Sequence, residues 1–200
     1  MRLGFLFCAL ALLTACSMEN ETAHPDRTRW DERYGGEEYA LGVEPAAFLK
    51  ENLGKLGTGH ALDIAAGEGR NAVFLAQHGF TVDAVDISPV GLRKAEALAK
   101  KRGVKIKTVE ANLEDYELGA ARYELVVNFY YLQRDLSPKI KRALKPGGLV
   151  VFETYNVNHK SMSRDYLLEL GELKEMFAGY EILHYSEEGA VSSLIARKPK

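Results

Sequence analysis

The stretch "ALDIAAGEGRNAVFLA", Ala61 to Ala76, limits this chain's fold more than any other. It opens as a short apolar run, turns at Gly67 and Gly69, and continues with helical spacing. Strand, glycine turn and helix in that order place backbone N–H groups and a helix N-terminus around a nucleotide-like ligand. The alternation continues downstream. Strands are expected at 61–65, 81–86, 105–109, 123–129, 148–154, 181–185 and 191–197, with helices at 70–78, 89–102, 137–143 and 165–177. Ser88 before Pro89 reads as an N-cap with proline at the first helical position. Gly79 and Gly103 stand where helices should stop. Alternating β and α elements imply an α/β chain whose mostly parallel sheet is covered by helices on both faces. No helix is expected between the last two strands, so they form a terminal hairpin with one strand antiparallel. Upstream, Pro45 with Ala46, Leu49 and Leu53 reads as a short helix.

The 200 residues favour a single domain. A net charge of −2 argues against nucleic acid as the partner, which calls for a basic excess. Both cysteines, Cys8 and Cys16, fall within the first sixteen residues. The remainder therefore has no disulfide, thiolate metal site or cysteine nucleophile. His159 and His184 lack metal-ligand spacing, and no metal is expected.

The N-terminus, "MRLGFLFCALALLTAC", has one arginine, an apolar run and small residues. That is the layout of a signal peptide over 1–16, too short for a comfortable membrane span. "LTAC" resembles a bacterial lipoprotein cleavage box, which would lipidate Cys16 and attach the chain to a membrane. Translation from Met18 would instead leave it cytoplasmic. Residues 17–29 read as a flexible leader, and 30–200 as the folded domain.

The glycine turn admits two ligands. Gly67, Gly69 and Ala72 fit the dinucleotide pattern G-x-G-x-x-A, and Asp86 lies nineteen residues after Gly67, where an acid takes a ribose. Asp63 and Glu68, however, would face the pyrophosphate. Like charges about 5 Å apart at an effective dielectric near 20 cost on the order of 3 kcal/mol. S-adenosylmethionine carries a sulfonium and an amino group instead of phosphates, so the same acids attract it. Asp86 suits either ligand through the ribose diol.

These fragments, in their order, resemble the class I S-adenosylmethionine-dependent methyltransferases over Arg29–Lys200. "LDIAAGEGRN" is similar to the family's first motif and "VDAVDIS" to its ribose-binding strand end. "EANLEDY" is similar to the segment along the adenine, "ELVVNFYYLQRDL" to the fourth strand facing the methyl group, and "LKPGGLVVFETYN" to the fifth strand. "WDERY" looks like the lid over the cofactor. Within the family, the small tellurite-resistance-type methyltransferases are the most similar group. The resemblance implies a Rossmann-like, seven-stranded sheet, S-adenosylmethionine as cofactor and a small-molecule methyl acceptor. It implies cofactor contacts at Trp30, Tyr34, Asp63, Gly67, Gly69, Asp86, Ile87, Asn112, Leu113 and Asn128. Two departures stand out: Ala65 replaces a usual glycine, and Asn112 a frequent aspartate. Without a D/N-P-P-Y motif after the fourth strand, methylation of DNA bases or glutamine is disfavoured. Of "NFYYLQR", Tyr131 and Arg134 are expected to line the acceptor pocket and take part in catalysis. Tyr130 and Tyr131 cannot share one side of an extended strand.

Overall fold

A computed structural model describes residues 24–200. The signal segment, Cys16 and the leader as far as residue 23 lie outside the described residues. Seven strands form one sheet: β1 (Gly59–Ile64), β2 (Phe80–Asp86), β3 (Lys107–Glu110), β4 (Tyr123–Phe129), β5 (Leu144–Tyr155), β6 (Glu181–Glu188) and β7 (Val191–Arg197). Their order is β3-β2-β1-β4-β5-β7-β6. The first five run parallel, while β7 is antiparallel to both β5 and β6. The terminal hairpin is present, and β7 is its reversed strand.

Among the described residues six α-helices accompany the sheet: α1 (Pro25–Tyr34), α2 (Ala47–Asn52), α3 (Arg70–Gln77), α4 (Pro89–Lys101), α5 (Leu136–Ala143) and α6 (Glu172–Met176). Side chains alternate across the strands, so each strand supplies both cores. Leu62, Ile64, Val126, Val150 and Phe152 pack with Leu136 and Ile140 of α5 on one face. Ala61, Leu125, Val127 and Val151 pack with Leu75 of α3 and with Phe48 and Leu49 of α2 on the other. Burial on both faces is why β4 reads as the near-continuous run "LVV". The chain order reverses between β1 and β4, and the crevice at their C-terminal ends is where an open α/β sheet takes its ligand.

Two expectations are corrected. The leader ends earlier than residue 29, because α1 begins at Pro25 with proline in its first turn and His24 Nδ1 accepting from the Asp26 N–H at 3.3 Å. Only Tyr34 of α1 is buried, so no apolar stripe announces this helix. The helix expected at 165–177 is broken. Leu167 is extended (φ −116°, ψ 137°), and Leu168 bridges Asn156 in parallel. The Leu168 N–H donates to the Tyr155 carbonyl at 3.0 Å, and its own carbonyl accepts from Val157 at 2.9 Å. Leu167 and Leu168 are both buried, on the opposite sides that an extended backbone presents. Helix α6 starts only after Gly171, at φ 87°.

The remaining helix starts follow their signals. Ser88 Oγ accepts from the Gly91 N–H at 3.0 Å at the head of α4. Gly69 precedes α3 at φ 81°, and a Cβ there would stand 2.5 Å from Ala95 Cβ of α4. Gly69→Ala should therefore cost about 2–3 kcal/mol, from the left-handed backbone and the clash together. The lost stability is read as a lower urea midpoint at unchanged slope.

Candidate functional site

A cavity of about 520 Å³ opens at the C-terminal ends of β1, β2 and β4. Its walls come from the loop after β1 (65–68), Asp86 and Ile87, the segment 111–114, Phe129–Tyr131, Tyr155 at the end of β5, and Asp26, Trp30, Arg33 and Tyr34 of α1. Ala65, Gly67 and Gly69 all adopt positive φ, which curls the loop tightly over the strand ends. Ala65 does so with a Cβ, at φ 52°, and lies on the cavity wall.

Asp86 is 5% exposed and ties this loop to the turn after β2. Its Oδ2 accepts from the Gly67 N–H at 2.7 Å and its Oδ1 from the Ser88 N–H at 2.8 Å. Burial pushes this carboxyl above the ordinary range, against the backbone N–H groups of Ser88, Gly67 and Ile87. A carboxylate has about four acceptor sites, so capacity remains for a diol. The Gly69 N–H is also engaged, donating to the Ala66 carbonyl at 2.9 Å. Two loop donors that a pyrophosphate would need are thus occupied by the protein itself.

Helix α1 lies across this loop. Asp31 accepts from Ser88 Oγ and, at 3.3 Å, from the Val90 N–H, and Arg27 pairs with Glu110. Tyr34 is wedged between two glycines. A Cβ on Gly67 would be 2.7 Å from its hydroxyl, and one on Gly91 would be 2.9 Å from its ring. Trp30 stacks on Tyr34 with ring centroids 5.4 Å apart.

The two acids of the charge argument differ in the structure. Glu68 is on the cavity wall, but Lys94 Nζ holds it at 2.8 Å, which neutralises it locally. Asp63 is 1% exposed and lies beneath the loop rather than on the wall. Desolvation pushes its pKa up to about 7, with the Ala72 N–H and Arg70 pulling the other way. Its Oδ2 has no hydrogen-bond partner. Asn128, beside Ile64 across β1 and β4, is also buried off the wall, and neither of its side-chain polar atoms has a partner. Unpartnered buried polar atoms are uncommon, and these three stand at the C-terminal ends of β1 and β4, on opposite faces of the sheet.

Trp30, Tyr34, Gly67, Asp86, Ile87, Asn112, Leu113 and Tyr131 meet at the cavity. Asn112 Oδ1 already accepts from the Glu114 N–H at 3.1 Å, leaving one lone pair for a ligand. Gly69 serves the packing of α4 and is not on the wall. Arg134 is not there either. It pairs with Glu172 at 3.0 Å and donates to the Leu167 carbonyl at 2.9 Å, fastening the segment before α6. Tyr131 reaches the cavity but spends its hydroxyl on Gln133, at 2.7 Å. Tyr130, Tyr155, Arg33 and Arg70 on the wall were not among the expected site residues. Arg70 directly follows the glycine turn, the one signal that could have found it. Among the described residues no three His, Cys, Asp or Glu side chains gather to hold a metal.

Comparison with known proteins places this geometry. Residues 61–148 match the family described as "Methyltransferase domain". A Geobacillus protein named as a methyltransferase is 33% identical over 128 residues, 56% of this chain and 51% of that protein. The ubiquinone biosynthesis O-methyltransferase of Salmonella newport is 26% identical over 157 residues, 70% of this chain and 65% of the enzyme. This chain thus spans between half and two thirds of the length of these relatives. The crystal structure of TehB from Haemophilus influenzae superposes with a TM-score of 0.70 at 17% identity, covering 86% of this chain and 66% of TehB, and shares the fold.

The Asp63 carboxyl carries a pH signature. Its folded pKa, about 7, lies above the ordinary 3.8, so the folded state holds the extra proton between these values. Its contribution to stability is complete below about pH 4 and is lost as pH rises to about 7. Asp63→Asn should remove this slope. In urea titrations at pH 5 and pH 8, the variant should gain on the wild type at the higher pH by up to about 3 kcal/mol.

Proposed function

We propose that this protein, whose residues 61–148 match the methyltransferase-domain family, transfers a methyl group from S-adenosylmethionine to a small-molecule acceptor. The reading rests above all on Asp86, whose carboxylate occupies the Gly67 N–H at 2.7 Å while facing the cavity. That arrangement suits a ribose diol and takes from a pyrophosphate a loop donor it would need, which disfavours a nicotinamide dinucleotide. The unpartnered oxygen of Asp63 suits the amino group of an amino-acid cofactor.

When bound, the cofactor supplies a methyl group on a sulfonium whose leaving group is neutral. The protein's part is then alignment and exclusion of water. Asp86 would hold the ribose, Ile87, Asn112 and Leu113 would flank the base, and Trp30 and Tyr34 would cover it from α1. Asp63 would receive the amino group of the polar tail, Asn128 would offer its amide at the end of β4, and Tyr131 would stand toward the acceptor.

Ala65 supports a second reading, a cofactor-binding module with weak or no turnover. Its methyl group stands on the wall at φ 52°, where the resemblance implies glycine. Cofactor affinity without turnover of any acceptor would favour that reading. For location, the N-terminal sequence supports membrane attachment through lipidated Cys16. Palmitate labelling abolished by Cys16→Ser would establish it, and unlabelled protein would favour translation from Met18 and a cytoplasmic enzyme.

Calorimetry tests the cofactor. The full chain should bind S-adenosylmethionine and S-adenosylhomocysteine and give no heat with NADH. Asp86→Ala should weaken binding by about 2 kcal/mol through lost charge-assisted hydrogen bonds. Unchanged affinity would remove Asp86 from the site. Turnover is tested with thiols, catechols and chalcogen oxyanions, following S-adenosylhomocysteine release.

A further inference from the structure

Among the described residues, five large apolar side chains are exposed: Leu41, Tyr130, Met162, Tyr166 and Leu170. Three of them, Leu41, Tyr130 and Met162, line the cavity. Apolar surface concentrated at the mouth of a pocket is the mark of an apolar ligand. Tyr155 continues this wall inward, its ring centroid 5.1 Å from that of Tyr130.

Tyr130 is held in an unusual way. Its backbone is left-handed, at φ 59°, a conformation an aromatic residue keeps only under constraint. The constraint comes from Glu153. The Tyr130 N–H donates to the Glu153 carbonyl at 2.7 Å, and the Tyr130 hydroxyl donates to Glu153 Oε1 at 2.8 Å. Glu153 is 8% exposed, and its Oε2 accepts from Ser193 Oγ at 2.8 Å. Among the described residues no lysine, arginine or histidine forms an ion pair with it. Glu153 is thus held by two hydroxyl groups, Tyr130 Oη on one oxygen and Ser193 Oγ on the other.

On the methyl-transfer reading above, we infer that Tyr130 and Glu153 take the proton from an acceptor that carries its hydroxyl or thiol on an aromatic or otherwise apolar body. The acceptor's proton passes to Tyr130 Oη as the Tyr130 proton moves to Glu153 Oε1. The acceptor's freed electron pair forms the bond to the transferred carbon, and the pair of the broken carbon–sulfur bond stays on sulfur. Tyr130 acts as the conduit and Glu153 as the store. Burial and the Glu153 carboxylate push the Tyr130 hydroxyl well above the ordinary tyrosine range, so it does not hold the negative charge itself. The other polar groups facing this pair are Arg70 and Tyr155, with His159 stacked on Tyr155 at 4.6 Å. An inorganic oxyanion has no apolar body to cover Leu41 and Met162, and it would meet Asp26, Asp86 and Glu114 on the walls.

The test compares two probes at pH 7: 4-methylcatechol, protonated in solution, and 4-nitrothiophenol, already ionised. Wild type, Tyr130→Phe and Glu153→Gln are assayed as full-length chains for S-adenosylhomocysteine formation, with affinity for S-adenosylhomocysteine measured by calorimetry. The wild type should methylate both probes. In each variant the ratio of the catechol rate to the thiophenol rate should fall about 100-fold, the usual size of a lost general base. Cofactor affinity should stay within twofold of wild type, which excludes misfolding. Equal losses on both probes, or no loss, overturn the proton-transfer role. Cofactor binding with turnover of neither probe overturns the acceptor class. Absence of cofactor binding in the wild type overturns the methyl-transfer reading itself.

Discussion

The carboxylate of Asp86 organises the ligand end of this molecule. Through Gly67 it fixes the loop after β1, and through Ser88 it fixes the turn after β2. Ser88 in turn caps α4 and donates to Asp31, so the placement of α1 depends on the same residue. One side chain at the end of β2 thus sets the floor, one wall and the cover of the cavity. Buried hydrogen bonds to a charged group are strong, and losing one partner leaves the others exposed to the full desolvation cost. Tyr34 follows from this arrangement. It fits between Gly67 and Gly91 only because both lack a Cβ and are held at fixed separation.

Electrostatics at the cavity are more differentiated than the acids in the sequence suggest. Glu68 was read as part of a negative field, yet Lys94, one turn into α4, cancels it at 2.8 Å. A salt bridge between a loop and a helix is invisible to linear spacing. Asp63 lies deeper, and burial rather than a neighbour governs its charge. What favours a sulfonium amino acid over a pyrophosphate is thus less the sum of acids than the prior occupation of loop N–H groups by Asp86 and Ala66.

Much of this was legible in the chain. All seven strands are found where apolar runs lie between turn residues, and α4 starts where Ser88 and Pro89 place it. The segment 165–177 misled because its leucines have helix-like spacing. Tertiary hydrogen bonds to Tyr155 and Val157 overrode that preference. Arg134 misled for a related reason: its partner Glu172 is thirty-eight residues away and comes near only through the fold. The tyrosine pair was half legible. An extended strand forbids both from facing one side, but β4 ends at Phe129 and Tyr130 turns left-handed. That single dihedral breaks the alternation and brings both tyrosines to the cavity.

Two buried aspartates on adjacent strands differ in how fully the chain satisfies them. Asp83, in β2 opposite Leu62, is 4% exposed. It accepts from Arg122 at 3.0 Å and Tyr123 at 3.0 Å, with His60 Nε2 3.1 Å away. Asp63, in β1, is buried still more completely and has one oxygen with nothing to accept from. The chain can therefore surround a buried carboxylate with donors, and has done so one strand away. At Asp63 it leaves the carboxylate short, beneath the loop that forms the cavity wall. Leaving a polar group unpaired is costly in the folded chain, and the cost is recovered when a ligand brings the missing donor. Burial raises the pKa of Asp63 to about 7, and no full set of donors is there to lower it again.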